Sequence, residues 1–91
     1  MRVRWRPPAA ADLQNISDYL KEHHPQYRRP TLRRLYQKIR ALRDAPYIGR
    51  PGRIEGTREL LFLPLPYIVV YRVTKQTIEV WRVYHTAQDR S

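Results

Sequence analysis

Residues 60–73, LLFLPLPYIVVYRV, constrain the fold more than any other part of the chain. A strand with one solvated face alternates apolar and polar side chains, whereas these two runs are apolar at successive positions. Pro64 and Pro66 interrupt them, and the runs are too short for a membrane-spanning helix. They therefore predict strands with two apolar faces, each of which needs a covering layer.

The remaining patterns predict a strand and two helices before this segment. Residues 2–6, RVRWR, alternate arginine with apolar residues, which is typical of a strand. A first helix begins at Pro7 or Pro8, because proline suits the first helical turn. The second helix is indicated by an apolar stripe at helical spacing, consisting of Leu32, Leu35, Tyr36, Ile39 and Leu42. Since an internal proline costs about 3 kcal/mol, Pro30 either begins this helix or bends it.

Further strands are predicted at residues 57–63, 67–73 and 77–84, after an irregular glycine-containing loop at 49–56. The order β-α-α-β-β-β predicts a single α+β domain over residues 1–91, with two helices packed on one face of a small, mostly antiparallel sheet. Strict alternation then places Ile68, Val70, Trp81 and Val83 on the outer face, and an exposed apolar face marks an interface. A strong twist, or a β-bulge that resets the alternation, is the alternative.

Charge and composition indicate the class of partner. The chain has 18 basic residues, 15 of them arginine, against 8 acidic residues, and its net charge is +10. Arginine pairs with carboxylates and phosphates, so we expect an acidic partner, which is RNA, DNA or an acidic protein segment. The lack of cysteine excludes disulfides and thiolate metal sites, and no metal-site or phosphate-loop spacing occurs, so no cofactor is expected. We expect a cytoplasmic protein without a membrane partner.

Four segments resemble, in this order, the ParE/RelE superfamily of bacterial toxins from type II toxin–antitoxin modules: WRPPAAADLQNISDYL, PYIGRPGRIEGTREL, PYIVVYRV and WRVYHTAQDR. The resemblance covers nearly the whole chain, and ParE-like members fit best. It implies a small cytoplasmic toxin that a cognate antitoxin neutralises with an acidic, partly disordered segment. Such a segment would cover the outer sheet face. The residues expected to bind it are Ile68, Val70, Trp81, Val83, Arg33 and Arg40.

The superfamily divides by mechanism. RelE-like members cleave mRNA in the ribosome, and ParE-like members inhibit DNA gyrase. Ribosome-dependent members commonly carry an arginine at the second position of the strand that reads YIVVY here, where this chain has Ile68. Isoleucine cannot hold a phosphate or stabilise developing charge, so the resemblance favours gyrase inhibition. A ribosome-dependent mRNA interferase is the alternative, with a catalytic site made of His85, Arg58 and Arg82. A basic nucleic-acid-binding module is the third possibility.

Candidates for contact with the cellular target lie in the glycine-containing loop and near the end of the chain: Arg50, Arg53, Arg58, His85 and Arg90. Loop arginines are as often simply solvated charges. Arg58 has a structural alternative, in which it ties the sheet to an acidic residue on a helix. The corresponding alternative for His85 is a hydrogen-bonded position at the end of a strand.

Overall fold

The computed structural model describes residues 1–87. Its elements are β1 (Arg2–Trp5), α1 (Pro7–His23), α2 (Pro25–Ala41), β2 (Arg50–Pro51), β3 (Arg58–Leu61), β4 (Tyr67–Val73) and β5 (Thr77–His85). Two helices pack on one five-stranded sheet of order β1-β5-β4-β3-β2. β1 runs parallel to β5, and the other neighbouring strands are antiparallel. The predicted α+β class and the mostly antiparallel sheet are therefore confirmed.

The two helices form a tight hairpin. Pro7 and Pro8 occupy the first positions of α1, where a missing N–H removes no helical hydrogen bond. His24 is the single residue between the helices, and its N–H donates to the Leu20 carbonyl at 2.8 Å. Pro30 lies inside α2 and does not begin it, because α2 already starts at Pro25. None of the helices within residues 1–87 has both the length and the apolarity needed to cross a bilayer.

The core lies between the helices and the sheet. Its buried members are Ala9, Leu35, Ile39 and Leu42 from the helical half, and Phe62, Tyr67, Val69, Tyr71, Ile78, Val80 and Val83 from the sheet half. The apolar stripe predicted for α2 supplies three of these residues. Of the other two residues in that stripe, Leu32 is half-buried, and Tyr36 is 47% exposed and lies against Trp5 at the edge of the sheet, with 5.8 Å between ring centroids.

A β-bulge in β5 changes which residues face the helices. Val70 pairs with Arg82 and Tyr71 pairs with Val80, so Trp81 has no opposite residue on β4. The extra residue shifts the alternation by one position. Val83 is consequently 3% exposed and packs in the core beneath the helices. Its predicted place on the outer face is wrong, and the alternative of a bulge is confirmed.

The predicted irregular loop contains one element that the sequence pattern missed. Arg50 and Pro51 form β2, which pairs with Arg58 and Glu59 of β3. The turn that follows is closed by a hydrogen bond from the Gly52 N–H to the Thr57 carbonyl, at 2.8 Å. Gly56 has a φ of +84° in this turn, a backbone conformation that glycine adopts without strain.

Candidate functional site

The three residues predicted for a nuclease site do not come together in the structure. Arg58 lies opposite Tyr71 and His85 lies opposite Tyr67, which places them at different ends of β4. Four residues of strand separate these two positions, or about 13 Å at roughly 3.3 Å per residue. Arg82 lies on β5, opposite Val70. A phosphate held by His85 is thus out of reach of Arg58.

The Arg82 side chain forms an ion pair within the molecule. Its Nε and Nη2 atoms donate to the Asp12 carboxylate at 2.7 and 2.9 Å. The same carboxylate accepts the Val83 N–H at 2.9 Å, where β5 extends beyond its pairing with β1. The hydrogen bond to Asp12 raises the pKa of Arg82 above its ordinary value. Asp12 therefore joins α1 to the edge of β5, and Arg82 serves this junction.

Arg58 is also engaged, although not with an acidic residue. Its Nη1 atom donates to the Gly49 carbonyl at 2.7 Å and to the Tyr47 carbonyl at 3.3 Å. The guanidinium carbon lies 5.0 Å from the centroid of the Tyr47 ring. Arg58 thus has a structural role, as the alternative interpretation predicted, but it binds the loop before β2 and not an acidic residue on a helix.

Tyr71 holds the same loop from the core. Its hydroxyl donates to the Pro46 carbonyl at 2.8 Å and accepts the Gly49 N–H at 2.9 Å. Burial is the main cause that raises the pKa of Tyr71. A Cβ atom on Gly49 would lie 2.7 Å from the Tyr71 hydroxyl oxygen, so only glycine permits this close approach. Together with Arg58, Tyr71 forms what we call the loop clamp over residues 46–49.

His85 occupies the hydrogen-bonded strand-end position. Its Nδ1 accepts the Ala87 N–H at 3.0 Å, so the neutral ring carries its proton on Nε2. Its ring stands edge-on to Tyr67, with 5.6 Å between centroids. His85 borders a pocket of about 610 Å³ between α1 and the ends of β4 and β5, together with Tyr19 and His24. Within residues 1–87, no three His, Cys, Asp or Glu side chains are placed to hold a metal ion.

Ile68 lies in an apolar strip on the outer face of the sheet. Strand register places it beside Leu61 of β3 and Tyr84 of β5. It is half-buried, while Val70, two residues further along β4, is only 4% exposed. Trp81 is half-buried under the Arg6 guanidinium, which lies 4.2 Å from the ring centroid. Ile68 and Trp81 are thus partly accessible on the outer face, whereas Val70 is buried there and the prediction that it is exposed to a partner is wrong.

Arg50 and Arg53 project from the β2–β3 hairpin. The Arg50 side chain is 73% exposed, with its Nη2 atom 3.9 Å from the buried Glu59 carboxylate. Arg53 is exposed, and its backbone N–H donates to Glu59 at 3.0 Å. Their positive charges are therefore available to a partner. Arg90, the remaining candidate for target contact, lies outside the described residues.

A basic groove between β1 and α2 was not predicted as a unit. It has a volume of about 450 Å³, and its lining includes Arg2, Arg40 and Arg43 beside Trp5 and Tyr36. β1 is an edge strand, because it pairs only with β5 within the described part of the chain. The alternation of RVRWR indicated a strand, but its place beside α2 depends on tertiary packing. We call this feature the β1–α2 groove.

Comparison with known proteins places the chain among small bacterial toxins. Residues 3–90 match the family described as ParE toxin of type II toxin–antitoxin system, parDE. The chain is 36% identical to the putative toxin Y4kP of Sinorhizobium fredii over 87 residues, which cover 96% of this chain and 90% of the relative. It is 31% identical to toxin RelE2 of Caulobacter vibrioides over 87 residues, which cover 96% of this chain and 97% of the relative.

Two solved structures share the fold. A chain from the chromosomal ParDE TA system of P. aeruginosa superimposes with a TM-score of 0.81 and 26% identity, over 93% of this chain and 95% of that chain. A mutant of YafQ from E. coli superimposes with a TM-score of 0.64 and 17% identity, over 96% of each chain. At 17% identity the second likeness concerns the fold alone.

Proposed function

Because the chain belongs to the ParE toxin family of type II toxin–antitoxin systems, we propose that it arrests growth by binding and inhibiting DNA gyrase. In this proposal the toxin is an inhibitor, and no bond in a substrate is cleaved at its surface. Arg50 and Arg53 are the candidates for contact with gyrase whose charges are exposed. The proposed location is the cytoplasm, which is compatible with a chain that has no cysteine.

The position of Ile68 carries the argument against RNA cleavage. RNA cleavage needs a cationic or hydrogen-bonding group that stabilises the charge developing on the scissile phosphate. Ile68 instead lies in an apolar strip between Leu61 and Tyr84. The two cationic residues among the nuclease candidates, Arg58 and Arg82, donate hydrogen bonds to groups of the chain itself. These contacts favour the gyrase proposal.

Two assays on one preparation test the proposal. The purified chain is expected to inhibit supercoiling by gyrase, or to trap gyrase on cleaved DNA, and to leave mRNA intact in translating ribosomes. His85→Ala is the control, because a binding inhibitor does not need the imidazole as a general acid or base. It should inhibit gyrase as the wild-type chain does.

A ribosome-dependent mRNA interferase is the second candidate function. It is favoured by the position of His85, which is exposed at the border of the pocket of about 610 Å³ and carries its proton on Nε2. Codon-positioned mRNA cuts that disappear in His85→Ala, with gyrase unaffected, would overturn the gyrase proposal. A plain nucleic-acid-binding module has less support, because the outer-face rings of Trp81 and Tyr84 already carry Arg6 and Arg82 on their faces.

We also propose that a cognate antitoxin with an acidic, partly disordered segment occupies the β1–α2 groove. The groove presents three arginines beside two aromatic rings, which suits a segment that alternates carboxylates with apolar side chains. Arg33 lies two helical turns before Arg40 and extends the same basic side of α2. From the edge strand β1, the segment can continue to the adjoining part of the outer face on β5, where Trp81 lies half-buried.

Charge reversal in the groove tests the antitoxin site. Arg40→Glu is expected to weaken antitoxin binding by at least roughly tenfold, as a contact worth more than about 1.4 kcal/mol does. Arg34→Glu is the matched control, since Arg34 is exposed on the same helix but outside the lining of the groove. Equal losses in both variants would show that net charge, and not the groove, determines affinity.

A further inference from the structure

The loop before β2 holds two large apolar side chains in solvent. Tyr47 is 64% exposed and Ile48 is 62% exposed. Leu61 of β3 is 46% exposed, and it lines a groove of about 320 Å³ together with Ile48 and Ile68. Scattered exposed apolar residues are ordinary, but exposed apolar residues grouped around one groove mark an interaction site, and Tyr47 directly precedes Ile48 in the chain. We call Tyr47, Ile48 and Leu61 the loop patch.

The loop clamp fixes this exposed arrangement. The Tyr71 hydroxyl bonds to Pro46 and Gly49 at the two ends of the loop, and Arg58 donates to the carbonyls of Tyr47 and Gly49. A loose loop could turn its apolar side chains toward the sheet, whereas this one is held outward by contacts that reach into the core. A surface ordered before binding loses less conformational entropy when a partner arrives. The geometry is that of a preformed contact surface.

The border of the loop patch indicates the chemistry of the partner. The exposed guanidinium of Arg50 and the exposed Arg53 lie on the adjoining hairpin. The Glu59 carboxylate also lines the groove of about 320 Å³ and lies 3.9 Å from the Arg50 Nη2 atom, but it is buried, so the exposed charge at the border is positive. A partner that places an apolar side chain in the patch therefore gains from carboxylates around that side chain.

The loop patch is also separate from the β1–α2 groove. β1 lies at one edge of the sheet and β3 near the other, with β5 and β4 between them. Three interstrand spacings amount to about 14 Å at roughly 4.8 Å each. A segment bound in the groove at the β1 edge thus leaves the loop patch open.

We infer that Tyr47, Ile48 and Leu61 form the surface by which this toxin binds its protein target, at a site where the target presents an apolar side chain flanked by carboxylates. The inference rests on the proposed function in one respect, which is that the chain acts by binding a protein. It does not require that protein to be gyrase.

The test compares two exposed tyrosines. Tyr47→Ser removes a ring from the loop patch but keeps the backbone carbonyl that Arg58 binds. Tyr27→Ser removes a ring of similar exposure, 58%, from α2. The full-length variants are expressed in bacteria, and growth arrest, gyrase inhibition, antitoxin affinity and thermal unfolding are measured. Ile48→Ser provides a second change in the patch that leaves the loop clamp in place.

Tyr47→Ser and Ile48→Ser are expected to reduce growth arrest by at least roughly tenfold, as the loss of a central interface residue does. Their antitoxin affinity and thermal unfolding should stay near the wild-type values, and Tyr27→Ser should retain full growth arrest. Folded variants that arrest growth as strongly as the wild type would overturn the inference. A loss of antitoxin affinity that matches the loss of growth arrest would also overturn it, by assigning the patch to the antitoxin.

The two proposals fail in different ways. If the wild-type chain arrests growth without affecting gyrase, the gyrase proposal fails, and the growth readout alone decides the role of the loop patch. If the wild type and Tyr47→Ser inhibit gyrase equally, the gyrase proposal stands and the inference about the patch fails. A wild-type chain that does not arrest growth would overturn both.

Discussion

Replacing Tyr71 by phenylalanine removes a single oxygen atom that makes two hydrogen bonds in the loop clamp. The hydroxyl donates to the Pro46 carbonyl and accepts the Gly49 N–H, and both contacts are within 2.9 Å. A hydrogen bond of this kind contributes about 1 kcal/mol net, and a buried group left without its partner costs about 1–3 kcal/mol. We therefore expect Tyr71→Phe to lower the free energy of unfolding by about 2–3 kcal/mol.

This loss is large for a chain of 91 residues. Domains of this size are stable by about 5–14 kcal/mol, at roughly 0.05–0.15 kcal/mol per residue. Each kcal/mol shifts the midpoint of thermal unfolding by about 4–8 °C in such domains, so the expected decrease is about 10–20 °C. Hydrogen exchange at the Gly49 amide should accelerate as well, because the loop loses its anchor in the core.

Tyr67→Phe is the matched control for this experiment. Tyr67 lies on the same strand and is 6% exposed, and its hydroxyl makes no hydrogen bond within residues 1–87. Urea unfolding of both variants, followed by tryptophan fluorescence, should show a lower midpoint at unchanged m for Tyr71→Phe only. A difference below about 0.5 kcal/mol between the two variants would refute the assignment of stability to the loop clamp.

The other predictions concern a second junction, pH and salt. Asp12→Ala removes the acceptor for Arg82 and for the Val83 N–H, so urea unfolding should show a loss of about 2–3 kcal/mol, and no loss would contradict the junction of α1 with β5. Burial raises the pKa of Tyr67 and Tyr71 above the ordinary 10.0. The two neutral tyrosines therefore make their full contribution to stability below pH 10.0. This contribution is lost as the pH rises through their higher folded-state pKa values, at up to about 1.4 kcal/mol per pH unit for each tyrosine. Alkaline unfolding titrations should therefore decline less steeply in Tyr71→Phe. Association with the antitoxin should slow as salt rises, since charges are screened over about 10 Å at 0.1 M; stopped-flow rates independent of salt would argue against an acidic partner.

Local patterns were sufficient for most of the fold. The alternation of RVRWR predicts β1, and the stripe that contains Leu35, Ile39 and Leu42 predicts the buried side of α2. Both signals arise within a few residues, because side-chain direction follows the period of the strand or helix. The short β2 was missed, since Arg50 and Pro51 carry no strand pattern and are held only by pairing with β3.

The outer face of the sheet includes a position that local sequence patterns predict wrongly. Periodicity alone placed Val83 beside Trp81, but the pairing of β5 with β4 leaves Trp81 as an extra residue and turns Val83 into the core. The predicted position of Ile68 is unaffected by this register shift, because the extra residue lies in β5 whereas Ile68 lies in β4. A bulge results from the relation between two strands, and neither strand specifies it by itself.

The sequence by itself determined the order of the elements, the positive charge and the likeness to the ParE-type toxins. Only the tertiary structure decided which arginines are available to a partner. Arg82 finds its carboxylate 70 residues away in the sequence, and Arg58 finds its carbonyls 9 and 11 residues away. Tyr71 reaches 25 residues back to hold the loop that exposes Tyr47. Such contacts depend on strand register and on the packing of α1 against the sheet, which bring distant residues within hydrogen-bonding distance.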